Sequence, residues 1–355
     1  MKNLYIHIGH YKTGTSAIQR YCTDNAAILG KNGYYYSQVA RPPRNNTNHG
    51  ELSLTLAVAH GFKPPPWYTG ESDIDQVFRD FRADAAAAAQ RNIIISSEEF
   101  VQLALRENPE EAIGDLRDRL GDFNVKILLY IREPMALLKS WYNEVNKGPH
   151  GTRNFPIFFE ALDPNFLSQW HTYEQFANVF GPDRMIVRSY KHTGMDHVRD
   201  FLGAIGYAPL PTGNDPLSAQ EAQDLQILEL VRLAKKRTHS YEQATLSQFE
   251  DIEALAAKVD LINASFAKLA ALSDVPLQSE LSLANIFRHL KALITPLKEQ
   301  KCTNDKEADI MRNTALRVEK TNPELALVLM QIAGVIRPRG GLIKKKLQEY
   351  ESRQP

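Results

Sequence analysis

Three short apolar runs constrain this chain more than any other feature. Residues 4–8 (Leu, Tyr, Ile, His, Ile), 93–95 (three isoleucines) and 125–131 (Val, Lys, Ile, Leu, Leu, Tyr, Ile) are near-continuous and rich in β-branched side chains. That is the pattern of buried strands. Segments with helical apolar spacing separate them, so strand and helix alternate along the chain. Alternation of this kind predicts an α/β fold, a parallel sheet with right-handed crossovers. Each run ends in polar or charged residues, and in open parallel sheets ligands bind beyond the carboxyl ends of the strands. Function is therefore expected at those three ends.

After the first run come Lys12, Thr13, Gly14, Thr15 and Ser16, followed by an apolar-periodic segment carrying Ile18, Tyr21, Cys22, Ile28 and Leu29. A strand, a tight loop and a helix N-terminus make an anion site, because backbone N–H groups and the helix dipole point at whatever sits there. Lys12 adds a full charge and Thr13, Thr15 and Ser16 add hydroxyls. The order differs from a Walker A loop, in which the lysine follows the second glycine; here Lys12 precedes Gly14 by two residues. A kinase or other nucleoside-triphosphate enzyme would also need an acidic magnesium ligand, a part Glu98 could play. A non-catalytic nucleotide-binding module would need no base at all.

The second run ends in Ser96, Ser97, Glu98 and Glu99. The two carboxylates are either site residues or the acidic start of the next helix, where they suit the dipole. The third run ends in Arg132, Glu133 and Pro134, with Ser140 eight residues after Arg132 on the following helix. A guanidinium fork suits a phosphate, and a helical hydroxyl on the same side adds a donor; a salt bridge between Arg132 and Glu133 is the structural alternative.

Two of these patterns together resemble the sulfotransferases that use 3′-phosphoadenosine 5′-phosphosulfate as donor. The order Lys12, Thr13, Gly14, Thr15, Ser16 after a strand resembles their 5′-phosphosulfate loop, and Arg132, Pro134 and Ser140 resemble their 3′-phosphate signature. Residues 180–190 and 197–206 are similar to a late strand and helix of bacterial members, so the resemblance covers about residues 1–210. It implies a P-loop-like three-layer sheet flanked by helices, transfer of a sulfuryl group to a hydroxyl or amine, and no metal. It makes Lys12 a catalytic as well as a donor-binding residue. By strand position it makes Glu98 the base, with His49 the runner-up because an imidazole titrates nearer neutrality. Cytosolic members place a tryptophan directly after the loop, where it stacks on adenine; this chain has Ala17 there. That departure turns the expected acceptor from a phenol or steroid to a carbohydrate or glycolipid.

Charge and composition set the remaining expectations. The 355 residues carry 42 Lys plus Arg and 42 Asp plus Glu, for a net charge of zero. A general nucleic-acid binder shows a basic excess, so that partner is not expected. Two cysteines, Cys22 and Cys302, provide no disulfide framework or metal-ligand spacing. No signal peptide precedes the first strand, and no apolar run approaches the roughly 18 residues of a spanning helix; a cytoplasmic location is expected. Residues 1–212 read as the α/β domain and 213–355 as a helical extension or cap that covers an acceptor site or makes a homodimer. Arg337, Pro338, Arg339, Gly340 and Gly341 read as a solvated turn, and Lys344, Lys345 and Lys346 as a solvated helix face.

Overall fold

The computed structural model describes residues 1–42, 46–64, 68, 72–121, 123–148, 154–192, 194–208, 227–229, 231–232, 251–295 and 305–352. The apolar runs form three strands of a five-stranded sheet: β1 (Lys2–Gly9), β2 (Tyr34–Tyr36), β3 (Asn92–Ser96), β4 (Phe123–Ile131) and β5 (Met185–Ser189). All pairings are parallel and the spatial order is β2-β3-β1-β4-β5. In that register Leu4 of β1 stands beside Ile93 on one side and Val125 on the other.

Helices fill every crossover. They are α1 (Thr15–Asp24) and α2 (Ala26–Lys31) before β2, α3 (Gly50–Ala59) and α4 (Ile74–Ala87) before β3, and α5 (Val101–Ala104) and α6 (Pro109–Arg119) before β4. Between β4 and β5 run α7 (Pro134–Lys147), α8 (Phe155–Ala161), α9 (Pro164–Ser168) and α10 (Trp170–Phe180); α11 (Gly194–Ala204) follows β5. Side chains alternate along a strand, so each strand serves two cores. Leu4, Ile6, Ile8, Ile93, Ile95, Ile127 and Leu129 pack with α3, α4, α6 and α10. Ile94, Leu128 and Tyr130 point the other way, onto Ile18 and Cys22 of α1, Leu29 of α2 and Phe201 of α11. The Cys22 thiol is buried there, which pushes it up to about 12.

The chain steps from β1 out to the edge strand β2, then reverses and moves steadily toward β5. A constant crossover hand requires the helices to change face when the direction reverses. They do: α1 and α2 lie on one face, and α3 to α6 and α10 on the other.

The chain packs as two units. One comprises Met1–Arg132, Ser168–Gln220 and Ser265–Gln278 and holds the sheet; the other comprises Glu133–Leu167, Glu221–Ala264 and Ser279–Pro355. The described part of the second unit is helical. It includes α7, α8, most of α12 (Ile252–Ala270), α13 (Leu283–Ile294), α14 (Asp305–Val318), α15 (Pro323–Ile336) and α16 (Gly341–Glu351). Glu133 caps α7, accepting from the N–H groups of Met135 and Ala136 at 2.8 and 2.7 Å. Arg337, in the basic turn after α15, is forked onto Asp309 at 2.8 and 3.0 Å. Lys344 and Lys345 are exposed, and Lys346 pairs with Glu319 at 3.0 Å. The 212/213 division and Cys302 lie outside the described residues. Among the described residues no helix is long and apolar enough to cross a membrane.

Ile94 is wholly buried beneath α1, α2 and α11. Ile94→Ala leaves a cavity that neighbouring strands are poorly placed to fill, and is expected to cost about 2–5 kcal/mol in chemical denaturation.

Candidate functional site

The crossover direction reverses between β1 and β3. The chain leaves β1 toward the α1 face, whereas β3, beside it, leaves toward the face carrying α5 and α6. Such switch points are where open sheets hold ligands. Here the ends of β3, β1 and β4 bring Glu98, Lys12 and Arg132 into the same neighbourhood.

The loop after β1 turns through three left-handed residues: Gly9 (φ 74°), Lys12 (φ 62°) and Gly14 (φ 81°). A lysine in that region stores backbone strain, which persists only where the surroundings enforce it. They do so here: Thr13 Oγ1 donates to the His10 carbonyl at 2.5 Å, and Arg132 Nη1 donates to the Lys12 carbonyl at 2.8 Å. Gly14 is the N-cap of α1. No side chain caps that helix, and no carboxylate stands in its first turn, so no acid of the helix's own first turn offsets its positive end. Gly14 also has no room for a side chain. A Cβ there would lie 2.8 Å from Cδ2 of His197 and 2.9 Å from Cε2 of Tyr190. Thr13 and Thr15 are buried and Ser16 is exposed.

Arg132 begins where the β4 ladder ends. Its guanidinium lies 4.8 Å from the centre of the Tyr190 ring, a cation–π distance, while one of its nitrogens holds the Lys12 carbonyl. Its backbone N–H and carbonyl are both bonded to the side chain of Gln169. Ser140 is half-buried on α7 in the second unit.

At the end of β3, consecutive carboxylates reach two parts of the β1–α1 segment. Glu98 accepts from Gln19 of α1 at 3.0 Å. Glu99 accepts from the Tyr11 hydroxyl at 2.5 Å, and Gln102 donates to the same hydroxyl at 2.8 Å. Burial lifts the Glu99 carboxyl to about 7; the Tyr11 bond opposes that shift and the Glu98 charge adds to it. Both glutamates also belong to the 3-10 turn Glu98–Phe100, capped by Ser97.

His49 is differently placed. Its Nε2 lies 3.1 Å from the Ser37 carbonyl, and its Nδ1 accepts from the Ser96 N–H at 3.0 Å. Both ring nitrogens are thus engaged by backbone, tying the end of β2 to the end of β3. Burial, with Arg41 nearby, lowers it to about 3. His7, His10 and His197 are also buried; desolvation lowers them to about 3, 4 and 4.

Three neighbours of the loop carry no motif. Tyr190 follows β5 directly and shares in the strand-end rule that pointed to the other residues. His197 sits on the buried face of α11. Gln169 has no local signal, because its partner lies 37 residues away. Among the described residues, no three His, Cys, Asp or Glu side chains group as metal ligands.

No family model matches the chain, and no curated protein matches it. Among solved structures it is similar to a sulfotransferase from Alicyclobacillus acidocaldarius, with a TM-score of 0.44 and 16% identity over 76% of this chain and 95% of that one.

Gly14→Ala forces a Cβ against His197 and Tyr190 in a left-handed conformation, and is expected to destabilise the fold by at least about 1–2 kcal/mol in thermal or denaturant unfolding. Glu99 supplies a pH test. Its folded value of about 7 lies above the ordinary 4.5, so between those values the folded state binds more protons and stability falls as pH rises. Glu99→Gln keeps an acceptor for Tyr11 but cannot ionise. Stability measured against pH is expected to decline less in that variant than in the wild type across this window.

Proposed function

We propose that the chain is a sulfotransferase that takes 3′-phosphoadenosine 5′-phosphosulfate as donor and sulfates a hydroxyl or amine, on a carbohydrate or glycolipid. The observation that carries the reading is the bond from Arg132 to the Lys12 carbonyl. It joins a cationic side chain at one strand end to the lysine-bearing loop at the next, beside a helix N-terminus without a side-chain cap or acidic first turn. A donor with a phosphate at each end of its nucleoside requires two adjacent anion sites of this kind. The close approach at Gly14 and the left-handed loop suit a phosphate gripped by backbone.

In this reading the loop amides, Lys12, Thr13, Thr15 and Ser16 hold the 5′ end. Arg132 holds the 3′-phosphate, and Ser140 joins it on sequence spacing alone. The donor supplies an activated sulfuryl group. By analogy with phosphoryl transfer, the protein's work is positioning and neutralising charge. Lys12 meets the charge that develops on the leaving phosphate oxygen as the S–O bond to it breaks. Glu98 takes the acceptor's proton as the new S–O bond, or S–N bond for an amine, forms. His49, with both nitrogens on backbone, is the poorer base. The acceptor is a small molecule or glycan met in the cytoplasm.

Calorimetric titration with 3′-phosphoadenosine 5′-phosphate tests the donor class, with 5′-AMP and magnesium-free ATP as controls. The wild type is expected to prefer the ligand with the 3′-phosphate. Arg132→Ala is expected to weaken that ligand about 10- to 100-fold, the worth of charge-assisted bonds, and to leave 5′-AMP nearly unaffected. Lys12→Ala is expected to weaken both. No binding by the wild type, or equal binding of ATP, would overturn the reading.

A further inference from the structure

We infer that Gln169 is a positioning residue for Arg132, setting the backbone from which the guanidinium reaches a ligand phosphate; this rests on Arg132 serving the 3′-phosphate. The β4 ladder closes at Ile131, whose carbonyl accepts from the Tyr190 N–H at 2.8 Å. One residue further on, Arg132 N–H donates to Gln169 Oε1 at 3.0 Å, and Gln169 Nε2 donates to the Arg132 carbonyl at 2.7 Å. A single side-chain amide thus makes the donor-and-acceptor pair that a neighbouring strand would make. It extends the ordered backbone to the residue whose side chain leaves the sheet.

The geometry of Gln169 itself favours this reading over simple packing. It is fully buried and lies in the left-handed region, φ 57° and ψ −7°, immediately before α10. Non-glycine residues adopt that conformation at a cost, and a residue needed only to turn the chain would be glycine or asparagine. A glutamine before a helix could also be spent on capping it, yet no side chain caps α10. The strained conformation instead aims the amide back across 37 residues to Arg132. The amide is also the right chemistry. A carboxylate there would set one oxygen against the Arg132 carbonyl and bring a negative charge toward a site built for anions, whereas an amide presents one donor and one acceptor and no charge.

With the backbone held by Gln169, one guanidinium nitrogen on the Lys12 carbonyl and the Tyr190 ring beside it, a long and flexible side chain is ordered before any ligand arrives. Pre-ordering raises affinity by removing that cost from binding.

The test compares affinities for 3′-phosphoadenosine 5′-phosphate and 5′-AMP by calorimetry, with the Tm of each protein, for wild type, Gln169→Ala, Gln169→Gly and Gln169→Glu. Gln169→Gly is the informative variant, because glycine takes the left-handed conformation without strain and only the clamp is lost. Its preference for the 3′-phosphate is expected to fall about five- to tenfold while 5′-AMP affinity stays within twofold. Gln169→Ala is expected to show the same loss with a lower Tm, and Gln169→Glu a loss at least as large. A folded Gln169→Gly with the full preference overturns the inference, as does an equal loss of both ligands. A wild type without any preference overturns the Arg132 reading, and the inference with it.

Discussion

β1 has a parallel neighbour on each edge and helices over each face, and the rest of the first unit is arranged around it. Ile6 pairs with Ile95 on one side and Ile127 on the other. An interior strand of this kind cannot end in an ordinary loop. Its two edges are occupied and the next strands leave toward the opposite face, so the chain after β1 must turn sharply into the gap. The turn is made by left-handed residues at 9, 12 and 14. Its tightness brings the first turn of α1 up to the strand ends, with Gly14 as the N-cap of that helix.

Other charged residues at the same end of the sheet show a different use of charge. Arg188 is bonded to Asp200, Lys191 lies 2.6 Å from Asp274, and Tyr130 donates to Asp200 at 2.6 Å. These groups tie the end of β5 to α11 and to the segment after α12, and they are structural by that measure. On the other side of β1, the Glu98 bond to Gln19 and the Glu99 bond to Tyr11 play a similar part, holding the loop and α1 against the end of β3. The loop is therefore braced from both sides by elements far from it in sequence.

Local patterns carried most of the sheet and much of the candidate site. Strand ends, the glycine at 14, the lysine beside it and the arginine after β4 are all legible because their meaning depends on a few neighbouring residues. What local pattern does not report is pairing across long separations. His49 looks like a base in sequence, a lone imidazole near a strand end, and only the Ser37 and Ser96 backbone bonds reveal its use as a tie. Gln169 looks like nothing, since both its conformation and its partner are products of tertiary structure. The grouping of residues 133–167 with helices more than 80 residues later leaves no mark on apolar periodicity either.

The buried imidazoles have a further consequence. His7, His10, His49 and His197 stand around the strand ends with values of about 3 to 4, so none of them gains a proton in the range where histidines ordinarily do. The cations of the site are a lysine and an arginine, and the nearby group that titrates around neutrality is an acid, Glu99. Mild acidification therefore acts on the charge beside this loop by neutralising Glu99, and not by charging these four imidazoles.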